Sequence, residues 1–180
     1  MKKITFVLES FLPHHRAGTE IYVYNLIKHL QPSNYEVSVL ISSIDKSRKS
    51  YQFENINVEV FYITENPSLH ELNGLIPPEG FQEFQDKILK IKPDIVHFHS
   101  FGRAINGFHL EWVKKQNIKT VFTPHLGGFF CVKGNFLLFE KELCNGKVLQ
   151  SRCMACLLSR KGVPHVFSNL AGKTVPMLPS

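Results

Sequence analysis

The chain has 180 residues, 43% of them hydrophobic and 12% aromatic, with 21 Lys and Arg against 15 Asp and Glu for a net charge of +6. That length and apolar content suffice for a buried core and exclude a disordered or collagen-like chain. Apolar runs such as Ile4–Leu8 and Phe136–Phe139 fall far short of the ~20 residues that span a bilayer. The basic start Met1-Lys2-Lys3 is followed by too short an apolar stretch, cut by Glu9 and Pro13, for a secretory signal. A cytoplasmic protein is therefore expected, in which the four cysteines serve as metal ligands, catalytic groups or core residues before disulfides. The basic residues lie in small groups, Lys46 to Lys49 and Lys114-Lys115, without interleaved aromatics, so no nucleic-acid partner is expected. Peripheral contact with an anionic membrane face stays open.

Residues 3–8 predict a strand buried on both faces. A loop with Pro13 and Gly18 follows, then a helix with Thr19 and Glu20 in its first turn and Ile21, Tyr24, Ile27 and Leu30 on its apolar stripe. Residues 35–41 and 57–63 predict two more strands, with a polar connection over 42–54. Residues 64–78, rich in Pro and Gly, predict a long loop near whatever the protein binds. A second helix from Gly80 carries Phe81, Phe84, Ile88 and Ile91 and is closed by Lys92-Pro93. Residues 94–99 predict a fourth strand, 104–116 a helix with Ile105, Phe108, Trp112 and Val113, and 118–123 a fifth strand.

Strands alternating with helices over the first 125 residues predict a doubly wound parallel α/β domain of strand order 3-2-1-4-5. From residue 126 the pattern breaks into a Cys-rich insert or subdomain over 126–160, with one helix near 152–161 and no clear strand, and a tail over 161–180.

In open parallel sheets ligands bind beyond the carboxyl ends of the strands, where the strand order reverses. Three segments are predicted there. Gly18, Thr19 and Glu20 open the first helix, whose N-terminus suits an anion, although a structural tight turn explains the glycine better. His97 and His99 alternate onto one face of the fourth strand, with Ser100 beyond; His97 suits a structural hydrogen bond, His99 and Ser100 a ligand. His125, after the fifth strand, can bond a sugar hydroxyl or phosphate or act as a base. Cys131, Cys144, Cys153 and Cys156, with Cys153-Met-Ala-Cys156 as a tight pair, suit either a structural zinc site or four reduced thiols.

Taken in order, these residues resemble the amino-terminal half of family 4 glycosyltransferases. Ala17-Gly18-Thr19-Glu20 is similar to that family's Gly-Gly-x-Glu loop, with Ala17 in place of the first glycine. Lys92-Pro-Asp-Ile-Val-His-Phe-His-Ser100 is similar to its Lys-Pro-Asp-Val-Val-His-x-His segment, and Thr123-Pro-His125 to its Thr-x-His, followed here by Leu126 where an aspartate is common. The cysteine pattern with Gly134-Asn135 is carried by one subgroup.

The resemblance implies a Rossmann-like domain forming half of a GT-B fold. It implies a retaining transferase with a nucleotide-sugar donor and no catalytic metal, so that any zinc is structural. Gly18 and Gly127 would lie near donor or sugar, His125 would be the catalytic contact, and this half would hold a sugar or lipid-linked acceptor for polysaccharide, glycolipid or glycoprotein assembly. The donor-binding half, with its paired glutamates, does not occur in the sequence, so a fragment or split protein inactive by itself is expected. Two other classes stay open: a metal-dependent hydrolase using His14, His15, His97, His99 and His125, and a non-catalytic zinc-stapled interaction module.

Overall fold

The computed structural model describes residues 1–164 apart from Asn73, Leu126 and Val132, together with residues 167 and 168. The chain forms two compact units, Met1–His125 and Leu126–Ser180.

The first unit is built on a six-stranded sheet. Strand β1 (Lys2–Leu8) lies at its centre, paired in parallel with β2 (Tyr35–Ser43) on one side and β5 (Ile95–Phe98) on the other. Beyond β2 lies β4 (Ile56–Tyr62), also parallel, and beyond β5 lies β6 (Lys119–Phe122). The predicted order 3-2-1-4-5 is thus present, extended by a strand that the sequence reading missed. Residues 51–53 form β3 (Tyr51–Phe53), antiparallel on β4, inside what reads as a polar connection. Its three residues are too few to show an alternation, and a turn with Glu54 and Asn55 at positive φ returns it onto β4.

Alternation along the central strands sends side chains to two separate cores. Phe6, Leu8, Val39, Ile41, Val58 and Val60 face the first helix, α1 (Gly18–Leu30), which contributes Val23 and Ile27. The fully buried pair of α1 is Val23 and Ile27; Ile21, Tyr24 and Leu30 from the predicted stripe are only partly buried beside them. The buried face therefore shares Ile27 with that stripe but takes Val23 in place of Tyr24 and includes Glu20, which is held by polar partners.

After α1 the structure adds α2 (Leu69–Leu72), one helical turn within the predicted long loop. Helix α3 (Phe81–Ile91) follows, with Phe84 and Ile88 buried against the opposite core of Val7, Leu40, Phe61, Val96 and Phe98. Gly80 precedes it at φ 87°, and a Cβ there would stand 1.8 Å from the Tyr62 carbonyl oxygen, so only glycine fits.

Helix α4 (Gly107–Lys115) buries Val113 and, unforeseen in the sequence, His109. The Asn106 side chain caps it by accepting from the Phe108 N–H at 3.1 Å.

In the second unit a tight turn at Gly127–Phe129 leads to a two-stranded antiparallel hairpin and a helix, α5 (Gln150–Arg160). The hairpin, β7 (Leu137–Leu138) with β8 (Glu142–Leu143), corrects the expectation of no strand in this region. Two residues per strand give no periodic signal; positive φ at Phe139 and Glu140 makes the turn. Of the predicted tail, residues 165–166 and 169–180 lie outside the described residues. Among the described residues no helix is long and apolar enough to cross a membrane.

Candidate functional site at the carboxyl edge of the sheet

Because β1, β2, β4, β5 and β6 run parallel, their carboxyl ends share one edge of the first unit. At that edge His97 and His99 lie on the α1 face of β5, their ring centroids 4.0 Å apart. His97 Nε2 bonds Thr123 Oγ1 at 2.8 Å, the structural hydrogen bond expected of it. His99 is only 1% exposed. Its Nδ1 lies 2.9 Å from His125 Nε2, and the two rings stack at 5.2 Å. His99 is thus buried and holds the half-buried His125; Ser100, next to His99 in the chain, is half-buried too.

Burial lowers both strand imidazoles, His97 to about 4 and His99 to about 3, and the neighbouring rings lower them further. Both are neutral at physiological pH, so tautomers are assigned by bonding. His99 Nε2 is buried without a partner among the described residues. A hydrogen there would be an orphaned donor, the rarer and costlier defect, so the hydrogen sits on Nδ1 and donates to His125 Nε2. With its Nε2 accepting, His125 presents Nδ1–H to an incoming oxygen.

Tyr22, one helical turn after Gly18, packs edge-on against His125 at 5.0 Å and against His99 at 5.9 Å. It brings the start of α1 beside the histidines. A Cβ on Gly18 would meet nothing within 4 Å, so no fold constraint explains the glycine and the helix N-terminus stays open.

Thr19 is half-buried in the first turn. Glu20 is buried and already engaged. It accepts from the Ser10 hydroxyl at 2.8 Å and the Ala17 N–H at 3.1 Å, with His15 Nδ1 at 3.1 Å. Burial pushes its carboxyl up, but Ser10, a backbone N–H and His15 outweigh that and hold it below the ordinary range. Glu20 therefore braces the loop between β1 and α1.

The sequence reading did not single out Tyr22, nor the cavity of about 320 Å³ at the ends of β1, β2 and β4. Ser10, Ser42, Ser43, Asp45, Arg48 and Arg103 are among its lining residues, a polar set with two guanidinium groups. Its volume is that of a small-ligand site. These residues come from the segments after β1 and β5 and from the end of β2 with the loop after it, and no local motif links them.

In the second unit, a Cβ on Gly127 would stand 2.5 Å from the Gly134 carbonyl oxygen and 2.8 Å from the Phe136 ring, so close packing within that unit accounts for this glycine. Cys131, Cys144, Cys153 and Cys156 are free and line a single cavity. Among the described residues no three His, Cys, Asp or Glu side chains stand close enough to hold an ion. The histidines thus form no ready-made hydrolytic metal centre.

A family model described as Glycosyltransferase Family 4 matches residues 16–143, from two residues before α1 to the end of the hairpin. No curated protein matches the chain. With the parallel sheet and the open α1 N-terminus, that match establishes the family and the GT-B type of fold: the chain belongs to the family 4 glycosyltransferases.

Proposed function

We propose that this chain is the acceptor-side half of a retaining glycosyltransferase that draws on a nucleotide-sugar donor, held mainly by a second domain. The observation that carries the reading is the His99–His125 pair beside the open N-terminus of α1. In a sugar transfer, negative charge shifts onto the leaving diphosphate while the sugar carbon becomes electron-poor. A helix N-terminus stabilises the diphosphate charge through its unpaired N–H groups. The Nδ1–H of His125 donates to a sugar oxygen and fixes the ring, and His99 fixes His125. No proton need leave His125, so its role is that of a donor and not of a base.

The cavity with Arg48 and Arg103 suits an acceptor that carries hydroxyls and an anionic group, such as the diphosphate of a lipid-linked saccharide. Such an acceptor places the protein at the cytoplasmic membrane face, in polysaccharide, glycolipid or glycoprotein assembly.

The test supplies a panel of radiolabelled uridine, guanosine and adenosine diphosphate sugars with lipid-linked acceptors. One reaction contains the chain alone, and another the chain joined to a donor-binding half. Transfer only in the second reaction supports the reading; robust transfer by the chain alone contradicts the division of labour.

A further inference from the structure

The second unit has little apolar core. Among its described residues the buried ones are Ala155, Cys156 and Ser168, too few to hold a unit of this size by apolar burial. What gathers there is sulfur. Cys131, Cys144, Cys153 and Cys156 come from three places, after the Gly127–Phe129 turn, after the hairpin and on α5, yet all four residues line one cavity, their sulfurs farther apart than around a bound ion. That cavity, of about 20 Å³, has room for about one water-sized occupant, too little for a sugar or a phosphate group.

The remaining charged lining is entirely basic, from Lys133, Lys147 and Arg152. Lys133, its side chain 2% exposed, donates to Cys156 Sγ at 3.6 Å and to the Leu137 carbonyl at 2.8 Å, and pairs with Glu140 outside the cavity at 2.5 Å. Arg152 donates to Cys144 Sγ at 3.9 Å and buries its Nε without a partner among the described residues. The Phe139 N–H, turned inward by a φ of 51°, donates to Cys156 Sγ at 3.2 Å. N–H and cationic donors aimed at sulfur stabilise thiolates over thiols. Four thiols facing three cations in so small a space form a poor apolar core and a good anionic ligand set.

We infer that Cys131, Cys144, Cys153 and Cys156 bind one zinc-class divalent ion as a tetrathiolate, a structural centre that takes the place of a core in the second unit. Four metal–sulfur bonds form, each thiol still protonated releases its proton to solvent, and no electron is transferred. The centre carries two net negative charges, which Lys133 and Arg152 offset. Binding draws the sulfurs inward, to the roughly 2.3 Å of a zinc–thiolate bond. This site is independent of the acceptor reading and stands or falls without it.

The test takes the whole chain, reduced and stripped with a chelator, and titrates it with Zn(II) and separately with Co(II). Expected are one ion per chain, the intense visible absorption of tetrahedral cobalt thiolate, and protection of all four cysteines from alkylation in peptide mass spectra. Lys133→Met keeps every ligand and is expected to weaken zinc about 10- to 100-fold. Replacing Cys153 and Cys156 together by serine is expected to abolish stoichiometric uptake. Should that double variant not fold, the unaltered chain still decides. Substoichiometric metal, a six-coordinate cobalt spectrum, unprotected thiols, or a Cys153–Cys156 disulfide forming in place of metal uptake would each overturn the inference.

Discussion

At the scale of single residues, the account rests on one imidazole holding another. His99 is buried and neutral, donates to His125, and leaves that half-buried ring one usable N–H. Replacing His99 with Phe keeps an aromatic ring of similar bulk against Phe6 and Tyr22 but removes the donor. The expected result is a fall in kcat of up to about 100-fold in the transferase assembled with its donor half, with donor KM and thermal stability nearly unchanged. Steady-state kinetics and a melting curve check it; an unchanged kcat contradicts the positioning role. The period of two along His97-Phe98-His99 placed both rings on one face from sequence alone. The predicted strand order put β6 beside β5; that His99 bonds His125 was not legible, because it depends on the path of the three residues after Phe122, which no local pattern encodes. Glu20 was legible as a first-turn acid, but not as a brace, since Ser10 and His15 reach it from the loop before the helix.

At the scale of elements, α1 and α4 make opposite predictions. The glycine at the start of α1 has open space around it, so Gly18→Val is expected to change stability by less than about 1 kcal/mol. The same substitution is expected to cut sugar transfer sharply, because the added methyls occupy the approach to the helix N-terminus. Paired denaturation and transfer assays check it; retained transfer would show that no ligand approaches there.

Helix α4 instead carries a burden of stability through His109, fully buried among the rings of Phe61, Phe81 and Phe84 and lowered to about 4 chiefly by burial. An unfolded imidazole titrates near 6.5, so the unfolded chain takes up the proton first. Stability is therefore complete above about pH 6.5, is lost as pH falls from there towards about 4, and levels off below. His109 accounts for at most about 3 kcal/mol of that loss. Urea unfolding at pH 7.5 and pH 5 is expected to show a smaller loss for His109→Leu than for the natural chain; equal losses contradict it. The helical period was readable in α3, whose buried Phe84 and Ile88 are its large apolar residues. It misled in α4, because a histidine occupies a core position, and in α1, because the buried face includes a carboxylate.

At the scale of the whole molecule, the alternation of strand and helix made the sheet order readable over the first 125 residues, since each parallel crossover needs a covering helix. The second unit was not readable that way. Its hairpin strands are two residues each, and its organisation follows from where four cysteines converge. With that centre as its core, a chelator is expected to raise amide hydrogen exchange across α5 and the hairpin while β1, β2 and β5 keep their protection. Exchange mass spectrometry with and without the chelator checks it, and uniform exchange changes in both units would contradict it.

The most direct test of the central claim, that His125 at the carboxyl edge handles the transferred sugar, is the kcat/KM of His125→Ala in the transferase assembled with its donor half. Loss of a fixed N–H donor to the reacting sugar predicts a fall of about 100-fold or more, with the melting temperature little changed because the ring is only half-buried. Transfer at the natural rate by that variant would place the sugar elsewhere and contradict the account.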